Sequence, residues 1–136
     1  MNTKLLVAAL LAFIAYFFSG WGVYAGFING QMTYPEGMKD IICIPEAEYK
    51  ISYMFISCLV WGLLIAYLFQ HMNVRDLKNG AMKGATIGIL TSIVVGLATA
   101  AQFKHGSLHN TLMDALGNGI TSALAGAAAG WWLGRK

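Results

Sequence analysis

Charge is what this chain has least of. Lys, Arg, Asp and Glu make up 11% of its 136 residues, against about a quarter in ordinary soluble domains. A soluble fold of this length needs a polar exterior, and so few charges beside 57% apolar residues cannot supply one. The excess apolar surface must face lipid, so the expectation is an integral membrane protein with the bilayer as its partner. The charges also form no basic run. A net charge of +3 scattered along the chain gives nothing that follows a phosphate backbone, which excludes nucleic acid.

Cysteine is nearly absent too. Cys43 and Cys58 make no metal-ligand spacing and no disulfide framework, and Cys58, inside an apolar run, reads as a small hydrophobe. The chain has no serine–histidine–acid arrangement, phosphate loop, zinc motif or paired carboxylates. The spans lack the buried arginine and glutamate of membrane glutathione-type transferases. The first span lacks the single glutamate of small multidrug exporters. No cofactor and no metal are expected, and an enzyme ranks last among the functions considered.

What is present is long apolar sequence. A hydrocarbon core about 30 Å thick takes roughly 20 apolar residues in a helix, and four segments qualify: about 5–27, 49–72, 80–100 and 108–133. Helix is the assignment for each, because an open strand in lipid would leave backbone groups unpaired. The fourth is the least apolar, with Asp114 and Asn118 in its first half. The N-terminus also has features of a secretory signal, with Lys4 before an apolar stretch that ends at Val23-Tyr24-Ala25. Trp21 and Tyr24 are bulky for a cleavage site, so a retained first span is expected. The loop over 28–48 is long for so small a chain. Pro35 and Pro45 mark turns in it, and Ile41, Ile42 and Ile44 predict that it packs back onto the membrane surface. Trp131 and Trp132 read as an interfacial aromatic belt.

Small residues recur every four positions. The third segment has Gly80, Gly84, Gly88, Ser92 and Gly96; the fourth has Ser122, Gly126 and Gly130; the first has Gly22, Gly26 and Gly30. Helices in lipid associate by close packing, which such strips permit, with the partner in the same chain or in a second copy.

Asp114 is the one carboxylate inside an apolar span, which is costly there. Asn118 and Ser122 follow at four-residue steps, so these groups share a slowly winding face. One reading is a ligand or ion pocket. The other is a group near the headgroups that caps or bonds a neighbour. His105 and His109 would share a helix face, but two imidazoles do not complete a metal site. His109 is a candidate neighbour of Asp114. Trp21 and Tyr24 are candidates for an aromatic wall, with core or belt packing as the alternative.

At Gly20-Trp21-Gly22-Val23-Tyr24, and again from Gly80 to Gly88, the chain resembles a family of small four-span bacterial membrane proteins known only as a domain of unknown function. Gly20 and Tyr24 match that family's glycine four residues before a tyrosine. Arg75 to Lys78, followed by Gly80 and Gly84, match its charged turn opening a glycine-rich third span. Val23 stands where a tryptophan is usual. The resemblance implies a fold and a compartment, and no activity.

The reading is therefore all-α: an integral membrane four-helix bundle with glycine-rich packing, one domain over 1–136, in a bacterial inner membrane. A shallow polar pocket opens on the extracytoplasmic side, formed from Asp114, Asn118, His109, Trp21 and Tyr24, for a ligand that no motif names. A transporter, channel or ligand-binding protein comes first, and a packing or scaffold subunit, homo-oligomeric or mixed, second. Lys4, Arg75, Lys78, Lys83, Arg135 and Lys136 fall on one side of the membrane, and Lys39, Lys50 and Lys104 on the other. The basic bias places both termini in the cytoplasm. Reporter fusions at Lys136 and Asp40 are expected in opposite compartments, with Lys136 cytoplasmic; a periplasmic signal at Lys136 reverses the assignment.

Overall fold

The computed structural model describes Thr3 to Arg135, and among these residues the regular structure is helical throughout. Helix α1 spans Thr3–Gln31, with a π-helical stretch at Trp21–Ile28. A short α2 (Lys39–Ile42) and a 3-10 turn (Glu46–Glu48) occupy the following loop. Then come α3 (Ile51–His71), α4 (Leu77–Gln102) and α5 (Leu108–Leu133). The long loop is thus shorter than the sequence implied, because α1 continues to Gln31. Ile41 and Ile44 project from it, Ile41 being 83% exposed.

The helix starts have local causes. Asp76 caps α4, its carboxylate accepting from the Asn79 backbone N–H at 2.9 Å and from Asn79 Nδ2 at 2.8 Å. Those bonds to Asn79, with Lys78 and Lys83 nearby, hold the Asp76 carboxyl below its ordinary range. Ser107 caps α5 in the same way, accepting from the Asn110 N–H at 3.1 Å. Between α3 and α4 the chain reverses at Asn73, whose φ of 55° is a left-handed conformation that asparagine tolerates.

Among the described residues three helices, α1, α3 and α4, are long and apolar enough to cross a membrane. The fourth expected span, α5, is as long as α4 but falls outside that set. Its surroundings explain the difference. Helix α5 is the most buried helix, packing extensively on α4, also on α1, and less on α3. Its neighbours, more than lipid, are its solvent, so it tolerates Asn118, Thr121 and Ser122 at buried positions. Its exposed stripe, Leu112, Leu116, Ile120 and Leu124, is entirely apolar. Polar groups inside and apolar groups outside invert the arrangement of a soluble helix.

The extensive contacts of α4 are with α5 alone, while α1 packs on both α3 and α5. The helices thus form a triangle of α1, α3 and α5 with α4 against its α5 side. The apolar core lies in the triangle, around Leu5, Ala12, Ile65, Phe69, Ala129 and Leu133.

The α4–α5 approach is backbone to backbone. A Cβ on Gly84 would overlap the Ser122 carbonyl oxygen, and one on Gly126 would overlap that of Gly80. On Gly88 it would stand 2.6 Å from the Asn118 oxygen, and on Gly130 2.5 Å from that of Asp76. Gly22 and Gly26 differ: a Cβ at either meets nothing within 4 Å. Both lie on the exposed side of α1, so neither takes part in helix packing within the chain. Gly84→Ala or Gly126→Ala should therefore lower thermal stability in detergent by about 1–3 kcal/mol, as overpacking does. Gly22→Ala and Gly26→Ala should melt like the parent; equal losses at all four positions would place the α4–α5 strip elsewhere.

Candidate functional site

Asp114, Asn118 and Ser122 form a polar seam along α5, and each reaches out to other helices. Tyr16 Oη on α1 donates to Asn118 Oδ1 at 2.7 Å. Asn118 Nδ2 donates to the Gly88 carbonyl at 3.0 Å and to Ser92 Oγ at 2.9 Å, both on α4. Ser122 Oγ donates to Asn118 Oδ1 at 3.2 Å and accepts from Trp61 Nε1 of α3 at 3.1 Å. Asn118 thus uses both N–H groups and both acceptor positions. It has nothing left for a ligand, and its part is to join α1 and α4 to α5.

Asp114 is held differently. Tyr24 Oη donates to Asp114 Oδ1 at 2.9 Å and approaches the Asp114 carbonyl at 3.2 Å. Tyr24 belongs to the π-helical part of α1, a local form often found at functional sites. Gly117 makes room for it: a Cβ there would meet Ile28 Cγ1 at 2.9 Å and Tyr24 Cζ at 3.0 Å. Asp114 Oδ2 has no hydrogen-bond partner among the described residues.

Asp114 also lines a cavity of about 200 Å³ between the end of α4, the start of α5 and the loop after α1. Tyr34, Thr99, His105, Ser107 and Asn110 bring polar groups to it, and Met32 and Val95 apolar ones. The loop is clamped in place by Asn110. Its Oδ1 accepts from the Thr33 N–H at 2.8 Å, and its Nδ2 donates to the Thr33 carbonyl at 2.5 Å. Gly106 lets the α4–α5 turn fold tightly back, since a Cβ there would lie 2.5 Å from Ala100 N. Burial raises the Tyr34 phenol above its ordinary value and the neighbouring Cys43 raises it further, so Tyr34 presents a neutral hydroxyl.

The other expected members of the pocket lie outside it. Nε2 of His109 is 2.7 Å from the Gln31 carbonyl, and its ring is exposed. Trp21 is 57% exposed and packs on Phe17 at 5.6 Å between ring centres. Asn118 is occupied as described, so Asp114 and Asn118 share a helix face without sharing a site. His105 precedes α5 and His109 lies within it, so the pair does not share a helical face. Among the described residues no group of three His, Cys, Asp or Glu side chains converges.

Tyr16, Trp61 and Asn110 escaped the sequence reading, and Ser92 entered it only as a small residue of the third segment's strip. Each is a single polar group in an apolar or turn segment, and its partner lies on another helix or loop. Ser92 lies on the four-residue strip of α4, and Tyr16 stands eight residues before Tyr24 in the first span; the others leave no periodic trace.

No family model matches the chain, and neither a curated protein nor a solved structure matches it.

Asn118→Ala would strand Tyr16, Ser92 and the Gly88 carbonyl together. Leaving buried polar groups unpaired costs about 1–3 kcal/mol, so this variant should melt well below the parent in detergent, and below Ser92→Ala. A Ser92→Ala loss as large as that of Asn118→Ala would mean the amide does not join the helices.

Proposed function

We propose that this chain is a four-span protein of a bacterial inner membrane, both termini cytoplasmic, that binds a small organic ammonium ion in the cavity at Asp114. The resemblance at Gly20 to Tyr24 and Gly80 to Gly88 belongs to the same proposal. The observation that carries the reading is the state of the Asp114 carboxylate. One oxygen is fixed by Tyr24, the other has no donor among the described residues, and the group borders a cavity of about 200 Å³.

The lining supports a cation. Among the described residues Asp114 is its only carboxylate, and no Lys or Arg lines it. Hydroxyl groups of Tyr34, Thr99, Ser107 and Thr111 add acceptors. The volume suits a small amine with a few waters, at about 30 Å³ for each water. The apolar walls from Met32 and Val95 favour an alkylated ammonium over a bare metal ion. A carboxylate inside a membrane span must be paired, hydrated or protonated, and a bound cation supplies the pairing. Passage across the membrane by way of this site makes the protein a transporter or channel.

A scaffold role would place a partner on the exposed apolar faces of α3 and α4. Lipid covers such faces equally well, so the pocket carries the proposal.

Methylammonium, tetramethylammonium, sodium and potassium, each titrated into detergent-purified protein, distinguish the outcomes. An alkylammonium ion should raise the melting temperature, by the equivalent of about 2.7 kcal/mol at a hundred times its Kd. Asp114→Asn should abolish that shift while circular dichroism stays unchanged. The proposal fails if the variant keeps the shift, or if no alkylammonium ion stabilises the parent.

A further inference from the structure

The geometry points to a second site at the opposite end of the helices, where Lys4, Arg75 and Arg135 form a receptor for the phosphate headgroup of an anionic lipid. Three elements converge there. Lys4 Nζ, from the start of α1, donates to the Arg135 carbonyl. Arg75 Nη1, from the α3–α4 turn, donates to the Leu133 carbonyl at 3.3 Å. Arg135 follows the end of α5, its guanidinium 4.9 Å from the Trp131 ring centre and 5.4 Å from that of Trp132.

Little opposes these charges. Lys78 and Lys83 lie close by, near enough to act on Asp76. Asp76 is the sequence neighbour of Arg75, and both its oxygens are bonded to Asn79. Among the described side chains the other acids lie elsewhere: Glu36, Asp40 and Glu48 in the loop after α1, and Asp114 at the cavity. Cations at this end also offset the negative end of the α5 dipole. That accounts for Lys4 and Arg75, which bond carbonyls. It does not account for Arg135, whose guanidinium bonds no acceptor among the described residues and lies against indole rings.

Donor capacity remains. An ammonium has three N–H groups and a guanidinium five, whereas Lys4 and Arg75 each show one side-chain bond. A guanidinium fork suits a phosphate in particular. The indoles set the depth, since tryptophan favours the headgroup level of a bilayer. A phosphate at that depth belongs to a lipid, and anionic lipids attract basic clusters beside membrane helices. This site is independent of Asp114 and stands or falls separately.

The full-length protein, stripped of lipid in detergent, should be titrated with phosphatidylglycerol, phosphatidylcholine or inorganic phosphate. Thermal melting and the lipid retained in native mass spectrometry would both be recorded. Phosphatidylglycerol should raise the melting temperature and be retained in preference to phosphatidylcholine, while inorganic phosphate at equal concentration gives no shift. Arg135→Gln, which removes no backbone bond, should reduce the preference, and R75Q/R135Q should abolish it. R75K/R135K should keep most of the preference, and Lys50→Gln at the other end should keep all of it. Equal retention of the two lipids by the parent overturns the proposal, as does a preference that survives R75Q/R135Q. A Lys50→Gln variant that loses the preference also overturns it, since the effect would then be one of net charge. So does a shift reproduced by inorganic phosphate alone.

Discussion

The structure depends on the contact between α4 and α5, where Gly84 and Gly126 let one backbone lie against the other. In lipid the hydrophobic effect does not drive helices together, so van der Waals contact and interhelical hydrogen bonds must hold them. The glycines bring the backbones near enough for Asn118 to reach both the Gly88 carbonyl and Ser92. Packing and hydrogen bonding are therefore one device here. A side chain at Gly88 would push the carbonyl and the amide apart and remove both.

From that contact the rest of the arrangement follows. Asn118 also accepts from Tyr16, and Ser122 accepts from Trp61, so α1 and α3 are tied to the same seam. A helix bonded to all three of its neighbours can carry polar groups that a lipid-facing helix cannot. Its outward stripe of Leu112, Leu116, Ile120 and Leu124 then meets lipid. Asp114 sits one turn beyond this saturated network. It is held by Tyr24 on one oxygen only, whereas the Asn118 amide is bonded at every donor and acceptor.

The two ends of the molecule differ in chemistry. One carries the cavity, the clamped loop and most of the acids. The other carries Lys4, Arg75, Lys78, Lys83 and Arg135 beside two tryptophans, with Asp76 already engaged. Ligand capture at one end and lipid capture at the other would use separate groups, so neither would compromise the other.

Composition and period alone determined that the chain is helical, since long apolar runs leave the backbone no other way to satisfy itself in lipid. The four-residue glycine strips marked α4 and α5 as close-packing helices, and Asp114 as the carboxylate that needs an explanation. Tertiary structure decided the rest. Gly22 and Gly26 follow the same spacing as Gly84 and Gly126, yet they meet open space, because a strip records that a backbone can be approached and not which one approaches it. Asp114 and Asn118 share a face, yet one lines a cavity and the other is saturated, because hydrogen-bond capacity is filled by residues far away in the chain. Tyr16 is 102 positions from Asn118, a distance at which no local pattern can signal the bond.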